Sequence, residues 1–258
     1  MDKKILLEKL IKYLDKDAQI PESLEEMKDL WKRLVLELDN YDIPRDILDT
    51  EDKFLRLELL NQKLTDGEKY GTINYNYRHG DKIALREGDI TSIYGDVIVN
   101  PINKDFNFKD NDLFKHIVLQ SGLRLRKKCK ESFDISELST SEVLITRAYN
   151  MLSDFLIHVV VPVVEDEVTE DNKVELKMSY FNVLECANNN MAKIVVLPIL
   201  GYVDNKFPLE DAVRIAVKEV VYYLDKPNCT LEKVIFNVST DEEYEMYLKV
   251  LDEYKNKN

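Results

Sequence analysis

Apolar residues recur at three- and four-residue steps through the first 64 positions, and then the rhythm changes. Ile5, Leu6, Leu10, Tyr13 and Leu14 form one such stripe, the spacing of a helix with one buried face. A second pattern starts after Ile20-Pro21. Ser23 is followed three residues later by Glu26, as in a capping box, and Leu24, Met27, Leu30, Trp31, Leu34 and Leu38 form the face to be buried. The stretch from Asn40 to Pro44 breaks this pattern, and a third helix is predicted with Ile47, Leu48, Phe54, Leu55 and Leu59 inward. Residues 65–81 contain three glycines and no period, so a linker is placed there. The division is therefore a helical extension over 1–64, a linker over 65–81 and a larger unit over 82–258.

In that larger unit strands alternate with helices. Short apolar or β-branched runs predict strands at 82–86, 96–100, 143–147, 156–161, 194–197 and 234–238. Several are apolar throughout, as strands covered on both faces are. Helical patterns lie at about 112–132, 171–190, 208–224 and 240–255. The alternation predicts an α/β fold with a mixed, mostly parallel sheet sandwiched by helices.

Composition narrows the partners. The chain has 49 acidic and 36 basic residues, a net charge of −13, which disfavours nucleic acid and anionic membranes, because phosphate neutralisation needs clustered Lys and Arg. The one basic run, Arg124, Arg126, Lys127, Lys128 and Lys130, has helical spacing and reads as a solvated face. No apolar run reaches the roughly 20 residues of a membrane span, and the charged N-terminus reads as a helix, which predicts a cytoplasmic protein. The three cysteines, Cys129, Cys186 and Cys229, are far apart and suggest neither a disulfide framework nor a cysteine zinc site.

Candidate chemistry gathers around residues 86–106, REGDITSIYGDVIVNPINKDF, where a Gly-Asp-Ile-Thr element (Gly88 to Thr91) precedes a strand and an Asn-x-x-Asn pair, Asn100 and Asn103. Three later stretches, at 146–162, 195–208 and 234–247, follow in matching order. Together they resemble the macrodomain family. The helical leader with Ile20, Pro21, Leu30 and Trp31 is similar to that of microbial zinc-dependent macrodomains, which hydrolyse ADP-ribose from modified proteins. The resemblance implies an ADP-ribose-binding fold. It implies Asp89 and Ile90 at the adenine, Phe236 and Asn237 flanking the adenosine, with Phe236 equally suited to the core, and Gly201 in the phosphate loop. Asn100 and Asn103 are then ligand-binding, with Asn103 on the distal ribose and the one catalytic candidate, and Lys206 offers a compensating positive charge. Asp89 also suits a turn cap, and one carboxylate can serve both ends.

The loops depart from that family. The family's glycine-rich loop after Asn-x-x-Asn is absent: no glycine occurs between Asn103 and Gly122, where glycine would let a backbone approach a diphosphate closely. Phe106 and Phe108 are expected to reshape or fill the pocket, and Asp105, Asp110 and Asp112 to oppose an anion. The family's Cys…His…Cys zinc set is missing, with only His116 in that region, so no metal cofactor is expected. No general base stands out near Asp112 and Phe114. In the second loop Gly201 is the one glycine left, and Asp204 enters. His158, inside an apolar strand, reads as a core histidine. The expected function is a binding or interaction module for ADP-ribose or a related nucleotide, with a protein partner in view. The alternatives are a zinc-free ADP-ribosyl hydrolase and a purely structural subunit.

Overall fold

The computed structural model describes residues 2–39, 42–73, 78–108, 111–133, 138–202 and 205–254. Three helices, α1 (Lys3–Leu14), α2 (Leu24–Glu37) and α3 (Arg45–Leu59), precede an α/β unit. That unit runs β1 (Ile83–Glu87), β2 (Val97–Ile102), α4 (Asp112–Ser121), α5 (Leu123–Ser132), β3 (Val143–Arg147), β4 (Phe155–Val160), α6 (Glu170–Asn189), β5 (Ile194–Leu197), α7 (Leu209–Leu224), β6 (Lys233–Val238) and α8 (Asp241–Leu251). The sheet order is β1-β6-β5-β2-β4-β3. Every pairing is parallel except that of β3 with β4.

Alternation along the strands divides the core. Val97 and Val99 of β2 join the layer under α6, α7 and α8, whereas Ile98 and Ile102 join the layer under α4 and α5. The predicted helix over 112–132 is in fact two. Gly122, at φ +88° and ψ −176°, ends α4 and starts α5, so the chain turns where the apolar pattern runs on.

The extension packs around its own core of Leu7, Leu10, Ile11, Met27, Trp31, Val35 and Phe54, which Leu123 of α5 completes. The Trp31 and Phe54 rings meet edge to face at 5.1 Å. Ile5, placed on the apolar stripe by spacing, is instead exposed. Polar contacts at helix ends finish the joint. Glu51 Oε2 accepts from the Leu123 amide at 2.5 Å, where α5 has no intrahelical acceptor for its first amides. Arg124 donates to Asp52 at 2.7 Å and to Asp49 at 2.5 Å. Arg126, buried, donates to the Val35 and Leu38 carbonyls at the end of α2, and its guanidinium lies 4.6 Å from the Phe108 ring centre.

The basic run is therefore not simply a solvated face. Lys128 and Lys130 are exposed, but the two arginines hold the extension in place. Arg126→Ala leaves two carbonyls at the α2 end without this donor and is expected to cost roughly 2–4 kcal/mol. Urea denaturation would measure that cost, and limited proteolysis should then release the extension sooner.

The stretch expected as a linker is also tied down where it is described. The Thr65 carbonyl accepts from the Tyr94 amide at 2.8 Å. Lys233 Nζ donates to the carbonyls of Gly67, Glu68 and Tyr70 at 3.0, 2.6 and 2.8 Å.

Candidate functional site

The carboxyl ends of four adjacent parallel strands open into one cleft of about 530 Å³. Such strand ends are where open α/β sheets bind ligands. In sheet order, Gly88, Asp89 and Ile90 follow β1. Asn237 and Ser239 come from the end of β6, with Glu243 from α8 beside them. Pro198, Ile199, Gly201 and Tyr202 follow β5, and Pro101 of β2 faces Asn111, Asp112, Leu113 and His116 around α4.

Asp89 is the best-defined polar group there. It caps a short turn of 3-10 helix, with Oδ1 accepting from the Thr91 amide at 2.8 Å and the Thr91 hydroxyl at 2.7 Å. His116 Nε2 reaches both carboxylate oxygens at 3.0 Å from α4. Partial burial pushes the Asp89 carboxyl up, but the hydrogen bonds and charge from His116 and the bonds from Thr91 outweigh it and hold the group at about 2.

Arg86 lies buried beneath this corner. It donates to the Asp89 carbonyl at 3.0 Å, to Asn237 Oδ1 at 2.6 Å and to Ser92 Oγ at 2.8 Å. Asn237 in turn donates to the Gly88 carbonyl at 2.8 Å, so its orientation is determined from both sides.

Asp89, Ile90, Gly201 and Asn237 line the cleft. Gly201 adopts φ +80°, and a Cβ there would come within 3.0 Å of Phe207. Asn103, half-buried, sits just outside the lining and accepts from Asn205 Nδ2 at 3.5 Å.

Three other candidates stand elsewhere. Asn100 is fully buried one residue out of register with Pro101, and strand alternation turns it away from the cleft. Its Nδ2 pairs with His158 Nδ1 at 2.9 Å, and His158 Nε2 pairs with Thr146 Oγ1 at 2.9 Å. Burial pushes the His158 pKa down to about 3, so this interior imidazole is neutral. Phe236 is fully buried against Tyr247, with ring centres 4.6 Å apart. Lys206 is exposed at φ +62° and is not among the lining residues.

The aromatic loop does not fill the cleft. Phe106 lies 5.2 Å from Phe114 and 5.5 Å from His158, and with Phe108 and Asp105 it lines a separate cavity of about 950 Å³ beside α4 and α5. Asp112 does line the cleft, whereas Asp110 and Asp204 lie outside the described residues.

Arg86, His116 and Glu243 were not picked out as cleft residues by motif. Each comes to the site from its own element, and no local spacing marks it. Among the described residues no three His, Cys, Asp or Glu side chains converge as metal ligands. Cys129 is a buried thiol pushed up to about 12 by burial, and it lines the separate cavity, not this cleft. The described donors do not fit a zinc ion.

A family model described as Macro domain matches residues 99–216. A protein-ADP-ribose hydrolase of Staphylococcus aureus strain COL is 30% identical over 243 residues, 90% of this chain and 88% of that protein. The chain belongs to the macrodomain family. The solved macro domain of ganglioside-induced differentiation-associated protein 2 superposes on this macrodomain with a TM-score of 0.68 at 26% identity, covering 76% of this chain and 99% of that one. A Trypanosoma brucei macrodomain solved in complex with ADP superposes at 0.65 with 20% identity, covering 97% of each chain, a likeness of fold. Among the described residues no helix is long and apolar enough to cross a membrane.

Proposed function

We propose that this macrodomain is a binding module for an adenine nucleotide of the ADP-ribose type, held in the cleft with its base at Asp89. One observation carries the reading. Asp89 is ionised and positioned by His116 and Thr91, and its Oδ2 has only His116 among the hydrogen bonds described. An adenine amino group is a donor that such a carboxylate accepts. The opposite end offers less. Asn111 Oδ1 accepts from the Phe114 amide at 2.7 Å, so the start of α4 is capped by its own side chain. Asn100 is inside the protein, and Asn103 is turned to Asn205.

A diphosphate is therefore expected to gain little from this cleft. Each missing charge-assisted hydrogen bond is worth roughly 1.5–3 kcal/mol, so affinity should lie nearer millimolar than micromolar. The similarity to a named hydrolase across nearly the whole chain supports a second reading, a zinc-free hydrolase that removes ADP-ribose from modified proteins. Titration calorimetry with ADP and ADP-ribose tests the first. Asp89→Ala is expected to weaken binding at least tenfold and, because it also removes the cap on Thr91, to lower the melting temperature modestly. Release of ADP-ribose from a modified protein would decide for the second reading.

A further inference from the structure

The cleft is acidic above β6. Glu243 lines it at the first turn of α8, 8% exposed, with Oε2 accepting from the Ser239 amide at 2.7 Å. Across the cleft, Tyr202 is raised first by burial and then by the nearby Glu242 and Glu243. Glu87, exposed just before Gly88, is raised first by burial and then by the nearby Asp241 and Glu243. Among the described lining residues Asp89, Asp112 and Glu243 are carboxylates, and none is Lys or Arg. The Arg86 guanidinium lies below the floor, with its donors on Asp89, Asn237 and Ser92.

The strand order converts this charge into a position along a ligand. β6 lies directly beside β1, and β5 beside β6, with neighbouring strands about 4.8 Å apart. With the base on Asp89, the attached ribose reaches the ends of β6 and β5, beside Ser239 and Glu243. A ribose hydroxyl can donate to a carboxylate there. A phosphate on that ribose would add two negative charges against Glu243, while His116, the lining group that can carry positive charge among those described, is engaged with Asp89.

We propose that Glu243 makes the cleft selective for adenosine nucleotides whose proximal ribose carries free hydroxyls, and that it excludes those phosphorylated on that ribose. The inference rests on the proposed placement of adenine at Asp89 and adds the class of nucleotide accepted. Calorimetry on the full chain with ADP-ribose and 2′-phospho-ADP-ribose tests it. The phosphorylated ligand should bind at least tenfold more weakly. The gap should narrow at least threefold in Glu243→Gln and should shrink as salt is raised.

Gln at this position keeps an oxygen for the Ser239 amide. Should that variant fail to fold, the exposed pair Glu87→Gln and Asp241→Asn lowers the same charge and should narrow the gap too. Equal affinity for the two ligands, tighter binding of the phosphorylated one, or a gap that none of these changes alters would overturn the inference while leaving adenine binding intact. Binding of neither ligand would overturn the proposed function, and this inference with it.

Discussion

Gly122→Ala is expected to lower the stability of the protein by roughly 3–5 kcal/mol, although it adds a single methyl group. Two costs combine. At φ +88° and ψ −176° the backbone occupies a region that is essentially glycine-only, and a side chain there costs on the order of 1–3 kcal/mol. The added Cβ would also come within 2.7 Å of Glu51 Oε2 and 2.8 Å of Leu55 Cδ1. Both neighbours are buried, so neither can swing into solvent. Moving Glu51 lengthens its hydrogen bond to the Leu123 amide, and moving Leu55 disturbs the core shared by the extension and α5. Overpacking of this kind typically costs a further 1–3 kcal/mol. Against a total of about 5–15 kcal/mol for a folded domain, the loss is large. Urea denaturation should show a lower midpoint, and the extension should become the first region cut in limited proteolysis. A change below about 1 kcal/mol would mean that the α4–α5 corner relaxes freely.

That corner also shows what could be read from sequence and what could not. The strands at 143–147 and 194–197 match their predicted ends because a short β-branched run needs only local information. The helix pair was expected as one helix because the apolar spacing continues across Gly122, and only the positive φ at that glycine reveals the break. The roles of Arg124 and Arg126 were hidden for a different reason. Their partners, Asp49, Asp52, Val35 and Leu38, are far away in sequence, and a basic run with helical spacing looks alike whether it faces water or another helix.

In the cleft, Asp89 was legible because its cap to Thr91 is local. Asn100 lies one position of strand alternation from the cleft-facing residue, since a step of one residue moves a side chain to the other face, and Phe236 takes the core place its apolar strand also suits. Phe106 was expected in the cleft because it follows Asn103, but at φ +53° its ring packs beside Phe114 and His158 instead. Glu243 and His116 reach the site from helices separated from Asp89 in sequence, and only tertiary structure brings them there.

Replacing Glu51 with glutamine is expected to change stability little in acid and to stabilise the protein increasingly as the pH rises. Glu51 is fully buried, and its Oε1 has no hydrogen-bond partner among the described residues. Burial pushes its pKa up to about 8, against the opposing pull of the Leu123 amide and the two arginines and with some help from Asp52. The folded chain thus holds this proton more tightly than the unfolded chain, whose glutamate has the ordinary value of 4.5. The stabilisation linked to that proton is therefore full below about pH 4.5 and is lost as the pH rises through about 8.

Glutamine cannot ionise, and its carbonyl can still accept from the Leu123 amide. Its NH2 group would occupy the position of Oε1 without an acceptor, as the O–H of the protonated parent also does, so this cost nearly cancels between the two proteins in acid. At pH 5 the two proteins should therefore lie close together. By pH 9 the parent must either bury a carboxylate or open the joint between α3 and α5, and the variant should be ahead by a few kcal/mol. Urea midpoints for both proteins at pH 5, 7 and 9 would measure the trend. A difference that stays constant across those three values would show that Glu51 is already ionised in the folded protein at pH 5, with Leu123, Arg124 and Arg126 together outweighing its burial.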